Sequence, residues 1–316
     1  RSDPDLYVWN QLATRIFEAE YCESRAFYHN GEILVFVNTG LATQLYSSSD
    51  GTKWSMLSSG LSTLPTPCHV RDIVQHNDTL YYISENNLYL SLDGETWQQH
   101  KNESTNFTLV NMLMSYNNKA WCLIEEIDSQ QLQFGVIDNN TVTAICDIDG
   151  IEGGYLPHDF PISDFASLSF ESSSERPRAM IVGGRNMLGN IVNARWNLEY
   201  SRVDGYRIKN FTISQPSFKS LTGVSLIQYA GKLMMFGGID NNLAMRSDIL
   251  YSDDEGMNWY VPDSSKNQLP ASYFSRQNQS VLLDNNHNIY IIGGQSKNQS
   301  FGDVYRGYLN SAKWEK

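Results

Sequence analysis

Residues Lys232 to Pro262 read KLMMFGGIDNNLAMRSDILYSDDEGMNWYVP: an apolar run closed by a glycine pair, a polar loop, a second apolar run, a Ser-x-Asp-x-Gly turn and a tryptophan. Weaker copies of this order lie on both sides of it, and the pairs Gly183-Gly184, Gly237-Gly238 and Gly293-Gly294 mark a period of about 55 residues. Recurrence at a long fixed period signals units that stack because none can bury its apolar face alone.

Short apolar and β-branched segments alternate with Asn, Gly, Asp and Ser, and no long stretch keeps a helical period, so the chain reads as all-β. Aligned on their turns, the units hold four strands each: an inner strand, an apolar second strand, a third ending at a glycine turn, and an outer strand that often opens with Trp. The first unit runs from Arg25 through Asn30-Gly31 to Ser48-Ser49-Asp50-Gly51 and Trp54, and the second ends likewise at Ser91-Leu92-Asp93-Gly94 and Trp97. Asn-Gly and Asp-Gly pairs between strands are strong hairpin signals, because both central residues need positive φ. The third unit is degenerate, with Asn117-Asn118 and Asn139-Asn140 as turns but neither glycine pair nor outer Trp.

This reading predicts a single domain over residues 1–316, a six-bladed β-propeller with blades at approximately 17–61, 62–109, 110–160, 161–214, 215–270 and 271–316. Residues 1–16 have no blade of their own, and Leu6-Tyr7-Val8-Trp9 resembles an outer strand; it is expected to complete the last blade and close the ring. Trp314 also stands where an outer strand begins, but too little chain follows it.

The 316 residues are 41% hydrophobic and 12% aromatic, ample for a core. A formal net charge of −12 with no basic run argues against nucleic acid and against membrane contact by this domain, since both reward clustered Lys and Arg. Four scattered cysteines, Cys22, Cys68, Cys122 and Cys146, make neither a disulfide framework nor a CxxC metal site, and are read as buried thiols; Cys22 and Cys68 occupy similar places in adjacent units, which leaves a cross-unit disulfide open. Asn-x-Ser/Thr sequons occur at Asn77, Asn102, Asn106, Asn139, Asn210, Asn278 and Asn298, and in so asparagine-rich a chain are read as chance. No cofactor pattern is present: the glycine pairs follow a strand without opening a helix, so the phosphate-binding context is missing, and close packing near the axis accounts for them.

The segments MMFGG, IYIIGG and MIVGG, with Asp248-Ile249-Leu250-Tyr251 and Asp303-Val304-Tyr305 opening third strands, resemble the kelch-type propellers, a superfamily that includes the central domain of galactose oxidase. The turn from Ser252 to Trp259 resembles the Asp-box of sialidases, and Ser48 to Trp54 and Ser91 to Trp97 are versions one residue shorter. As a whole the sequence is similar to propeller lipoproteins of Bacteroides-type bacteria. That resemblance, with an Arg1-Ser2-Asp3-Pro4 start that suggests a fragment or processed form, implies an extracytoplasmic place of action, periplasmic or on the cell surface. These motifs specify blades, not chemistry.

Connections between first and second strands and between third and fourth are short, whereas those from second to third strand and from blade to blade are long, for example Asp149 to Pro161, Arg185 to Arg195, Ile239 to Arg246 and Pro262 to Gln277. Both long classes emerge on one face of a propeller, and loops on a rigid scaffold concentrate binding residues. The candidates there are Arg25, His69, Arg71, Asp72, His158, Asp159, Asp164, Arg185, Arg195, Arg246, Tyr273 and Arg276. Arginines converging on the axis suit a ligand carboxylate through paired hydrogen bonds, and each also has an ordinary reading as a solvated or acid-paired surface residue.

Catalytic signatures are weak. The Arg-Ile-Pro element of sialidases is absent, since Arg15-Ile16 is followed by Phe17, and no spacing joins His69, His158 and a cysteine into a copper site of the galactose oxidase kind. The expectation is a binding module without catalysis, taking a glycan or a protein on the long-loop face. The alternative is a carbohydrate-active enzyme, either a sialidase-like hydrolase or a sugar-acid mutarotase. A polar axial pocket with converging carboxylates or arginines favours the enzyme; an open face lined by exposed aromatics favours binding.

Overall fold

The computed structural model describes residues 7–17, 22–65, 68–148, 151–171, 177–192, 194–201, 207–214, 221–240, 242–261 and 269–309. Six blade sheets of antiparallel strands succeed one another along the chain, and a further two-stranded sheet pairs Leu221–Thr222 with Ile239–Asp240. Blade 1 is built from Glu23–His29, Glu32–Asn38, Thr43–Ser48 and Ser55–Ser58, and blade 2 from Val74–His76, Thr79–Ser84, Asn87–Ser91 and Gln98–Lys101. Blade 3 comprises Phe107–Tyr116, Lys119–Glu126, Leu132–Asp138 and Thr141–Ile145. Blade 4 has Ala166–Glu171, Pro177–Val182, Arg195–Ser201 and Arg207–Ser214, with Asp147–Ile148 added in parallel to its outer edge. In blade 5, Ser225–Tyr229, Lys232–Phe236 and Ile249–Ser252 are joined at the outer position by Tyr260, which exchanges backbone hydrogen bonds with Tyr251. Blade 6 consists of Ser280–Leu283, Ile289–Ile292 and Val304–Leu309, and its outer strand is Tyr7–Ala13 from the other end of the chain. The ring is therefore closed by the N-terminal strand. Trp314 lies outside the described residues.

The turns explain the register. Asn30 and Gly31 take φ of 50° and 88°, and the Asn pairs of blade 3 do the same without glycine, with φ of 47° and 57° at Asn117-Asn118 and 47° and 63° at Asn139-Asn140. Asparagine tolerates this region because its short polar side chain can bond locally. So the blade with the poorest repeat signal keeps the four-stranded plan, with two register shifts between its first and second strands.

Three turns of the Ser-x-Asp type share one hydrogen-bond plan. In blade 2 the Ser91 hydroxyl accepts from Gly94 N at 2.8 Å, Asp93 Oδ1 accepts from Glu95 N and Thr96 N at 2.8 and 2.7 Å, and Trp97 Nε1 donates to Gly94 O at 2.9 Å. The turns at Asp50 and Asp254 repeat it. Each tryptophan then packs on the preceding blade: Trp97 meets Phe36 of blade 1 edge-on at 6.1 Å, and Trp259 joins Phe170 and Met180 of blade 4.

The core lies between neighbouring sheets. Between blades 3 and 4 an aromatic chain runs through Trp121, Phe134, Phe160 and Trp196, with Phe160 5.6 Å from Phe134 and 5.1 Å from Trp196. Phe160 and Leu156 belong to the connection read from sequence as a polar binding loop; the structure uses them as a plug instead. The glycine pairs are closely packed where the chain enters the next blade: a side chain at Gly183, where φ is +64°, would strike Leu221 O at 1.8 Å, and one at Gly293 would meet Ser24 Oγ, on the axial cavity wall, at 2.3 Å. All four cysteines are free, and Cys146 is exposed, not buried.

Candidate functional site

The inner strands are stitched to one another across blades. Ala26 N donates to Ser280 Oγ at 2.8 Å, Gln75 Nε2 to Tyr28 O at 3.2 Å, and Ser167 Oγ to Leu113 O at 2.8 Å. Ahead of these strands Asp164, Gly223 and Asn278 hold positive φ of 53°, 67° and 57°. Gly223 N bonds to Asp164 O at 2.9 Å and Asn278 N to Gly223 O at 2.7 Å, so blades 4, 5 and 6 are linked in sequence around the axis. The strands enclose an axial cavity of about 300 Å³ to which all six blades contribute.

Its charges are lopsided. Blades 1, 2 and 4 bring Arg25, Arg71, Asp72 and Asp164 to the wall, whereas blades 5 and 6 bring Gly223, Ser225, Asn278 and Gln279. Arg71 bridges two carboxylates, donating from Nη2 to Glu23 Oε1 at 2.8 Å and from Nη1 to Asp164 Oδ1. Asp164 also faces Arg185 Nε at 3.5 Å, and Glu23 faces the exposed His69 at 3.6 Å. This alternating row ties blade 2 to blade 4 past blade 3.

Arg25 and Asp72 form the deeper part of the site. Arg25 lies beside the Phe27 ring at 5.5 Å, and its Nε is buried with no hydrogen-bond partner. Burial works against its charge, and Asp72 works for it. Burial also pushes the Asp72 carboxyl up, against the hydrogen bond from Asn111 and the nearby Arg71, so Asp72 holds a proton more tightly than an ordinary aspartate. Asn111 is itself anchored through Nδ2 to Ile162 O at 3.2 Å. The arrangement sets on the cavity wall a guanidinium with no carboxylate of the described residues at ion-pair distance, suited to an anion, and next to it a carboxyl able to give or take a proton.

Five residues singled out from sequence thus meet here: Arg25, Arg71, Asp72, Asp164 and Arg185, with His69 at the rim. His158 and Asp159 are exposed and do not line the cavity. Arg246 pairs with Asp248 two residues on, with Nε to Oδ1 at 2.8 Å, and Arg195 is buried against Asn197 at 2.7 Å. Tyr273 and Arg276 are interior. Arg276 is fully buried, paired through both terminal nitrogens with Asp303, and its guanidinium lies 4.3 Å from the centre of the Tyr273 ring. Sequence reasoning missed Glu23, Asn111, Asn278 and Gln279. Of these, Asn278 carried a signal, since it occupies the place of Asp164 and Gly223 before an inner strand. Among the described residues no group of His, Cys, Asp and Glu is arranged to hold a metal ion.

Comparison with known proteins bears on the fold. Residues 3–316 match the DUF6242 beta propeller domain, and the chain belongs to that family. Among solved structures it resembles one titled "Structure of YjhT", with a TM-score of 0.59 and 13% identity over 90% of this chain and 94% of that one, a likeness of fold. No curated protein matches it in sequence.

Proposed function

We propose that this propeller of the DUF6242 family binds a small acidic carbohydrate in its axial cavity, with Arg25 receiving the carboxylate. The observation that carries this reading is Arg25 on the wall of a polar cavity of about 300 Å³ with no carboxylate of the described residues at ion-pair distance, where Arg71 has two. That volume lies at the low end for small-molecule sites and is too small to admit a folded partner. Arg71 is committed to Glu23 and Asp164, which leaves Arg25 as the recognition donor and the bridged carboxylates as acceptors for ligand hydroxyls. The chain's net charge of −12 fits a small ligand gripped by one local cation better than a polyanion.

Calorimetric titration with sugar acids beside the matching neutral sugars tests this. The acids are expected to bind at least about tenfold more tightly than the neutral sugars, and Arg25→Gln to remove that preference, as loss of a charge-assisted pair implies. Equal affinity for acid and neutral sugar, or an unaffected variant, overturns it.

A second reading has its own support in the arginines and carboxylates that converge on the axial cavity, the arrangement that favours an enzyme, with the Asp72 carboxyl pushed up by burial beside Arg25: acid–base turnover of the same ligand, such as exchange of its anomers. Faster anomer exchange by NMR, lost in Asp72→Asn while binding persists, is its expected mark. Binding with exchange at the uncatalysed rate leaves a binding protein.

A further inference from the structure

We propose that Phe274 is a stacking platform for a second sugar ring, so that the ligand is the acidic end of a longer glycan rather than a free sugar acid; this rests on the sugar-acid reading above. Phe274 is 60% exposed, and its ring runs parallel to that of Phe301 to within 11° at 6.3 Å between centroids. Phe301 is buried and lies over the Arg276 guanidinium at 4.0 Å, with Tyr273 at 4.3 Å from the same group. Arg276 Nε also donates to the Phe274 carbonyl at 3.0 Å, and its Nη1 to Gly293 O at 2.9 Å. A lone exposed phenylalanine needs no explanation. One whose ring lies parallel to a buried aromatic and whose backbone is pinned by a buried arginine is held in a fixed orientation with ring surface open to a ligand.

The segment that carries the platform runs into the cavity wall. Arg276 N bonds to Arg246 O at 3.2 Å and Gln277 N to Gln295 O at 3.0 Å, which fixes this segment against two neighbouring loops just before Asn278 reaches the cavity wall. On the other side Cys22 N donates to Ser300 Oγ at 2.8 Å, joining the same blade to the chain that carries Glu23 and Arg25. A ligand with its acidic ring on Arg25 therefore has its next ring to place on the face where Phe274 stands. The apolar C–H face of a pyranose complements the negative face of an aromatic ring. Arg276 and Tyr273 then act as positioning residues, not as ligand contacts.

The test titrates the full chain with N-acetylneuraminic acid and sialyllactose, and with D-glucuronic acid and a disaccharide of glucuronic acid on glucose. The conjugate of whichever acid binds is expected to bind about 3- to 10-fold more tightly than the free acid, the gain that one aromatic contact supplies. Phe274→Ala is expected to abolish the gain with the free acid's affinity unchanged, and Phe274→Trp to keep it; the side chain's exposure makes both variants compatible with folding. If a free acid binds and its conjugate binds no better, or if Phe274→Ala weakens both alike, the platform is overturned while the cavity reading stands. If neither acid binds in any form, both fail together.

Discussion

Asp72 illustrates how burial alone changes what a residue does. Its neighbours are Arg25, Arg71, His69, Glu23 and Asn111, and desolvation outweighs the favourable ones, so its carboxyl stays protonated to higher pH than in the unfolded chain. The folded state then holds more protons than the unfolded state between the two pKa values, so this group makes stability fall as pH rises through that window. The same sign applies to binding. Ionised Asp72 neutralises Arg25 and repels a ligand carboxylate, so affinity for a sugar acid is expected to weaken with rising pH through the folded pKa of Asp72. Titrations at successive pH values from the ordinary aspartate range upward, in wild type and Asp72→Asn, check this, with the variant expected to show a flatter profile. A wild-type profile that is flat, or that rises with pH, sinks the assignment. Single residues also mark where sequence stopped being informative. Arg25 and Arg276 both stand near the start of an inner strand, and each reads as a cation facing the axis. Arg276 nevertheless sits two residues before the strand-entry turn at Asn278, where it pairs with Asp303 inside the blade, and only coordinates distinguish an arginine that meets ligand from one that braces a loop.

At the scale of the element, the Ser-x-Asp turns were the most legible feature because their chemistry is local. Hydroxyl, carboxylate and indole bond within the turn itself, so their order along the chain is enough to place them. Gly94 has φ of +81°, and an added Cβ would lie 3.1 Å from Phe36 and 3.2 Å from Leu34 of blade 1. Gly94→Ala is therefore expected to cost about 2 kcal/mol, from backbone strain and overpacking together. Asp93→Ala removes the acceptor for two backbone N–H groups at an exposed turn and is expected to cost about 1 kcal/mol. Those hydrogen bonds lower the Asp93 pKa against the opposing effect of burial, so its contribution is present above the unfolded value and disappears as pH falls through the folded one. Urea midpoints for both variants at neutral pH, and for Asp93→Ala also in acid where its deficit is expected to shrink, check the pair. Blade 3 was less legible for the opposite reason. It has neither the glycine pair nor the outer Trp, and runs such as Ala120 to Ile124, buried on both faces, show no alternation that could replace those marks.

The whole molecule depends on a joint that no local motif encodes. A propeller's blades contact only their neighbours, so the ring is held at its seam by whatever fixes the last blade to the first. Here Tyr7–Ala13 pairs with Val304–Leu309 from Tyr7↔Leu309 to Ala13↔Val304, and the chain passes directly from that outer strand of blade 6 to blade 1. The strand also carries core. Trp9 is buried and meets Phe236 of blade 5 edge-on at 6.2 Å, while Leu12 lies beside the blade 1 turn at Gly51. Deleting residues 1–14 leaves Val304–Leu309 as an open edge and removes Trp9 from an interior that cannot close over the space. Loss of a buried tryptophan alone is worth about 3 kcal/mol, so the melting temperature is expected to fall by at least about 5 °C. The exposed edge should also promote self-association, read by light scattering as a rise in apparent mass. Trp9→Ala separates the two effects: it is expected to lower the melting temperature but to keep the protein monodisperse under the same conditions, because the edge stays paired. A truncated chain that melts with wild type would show that blade 6 holds the ring with three strands, and that the N-terminal strand is a passenger.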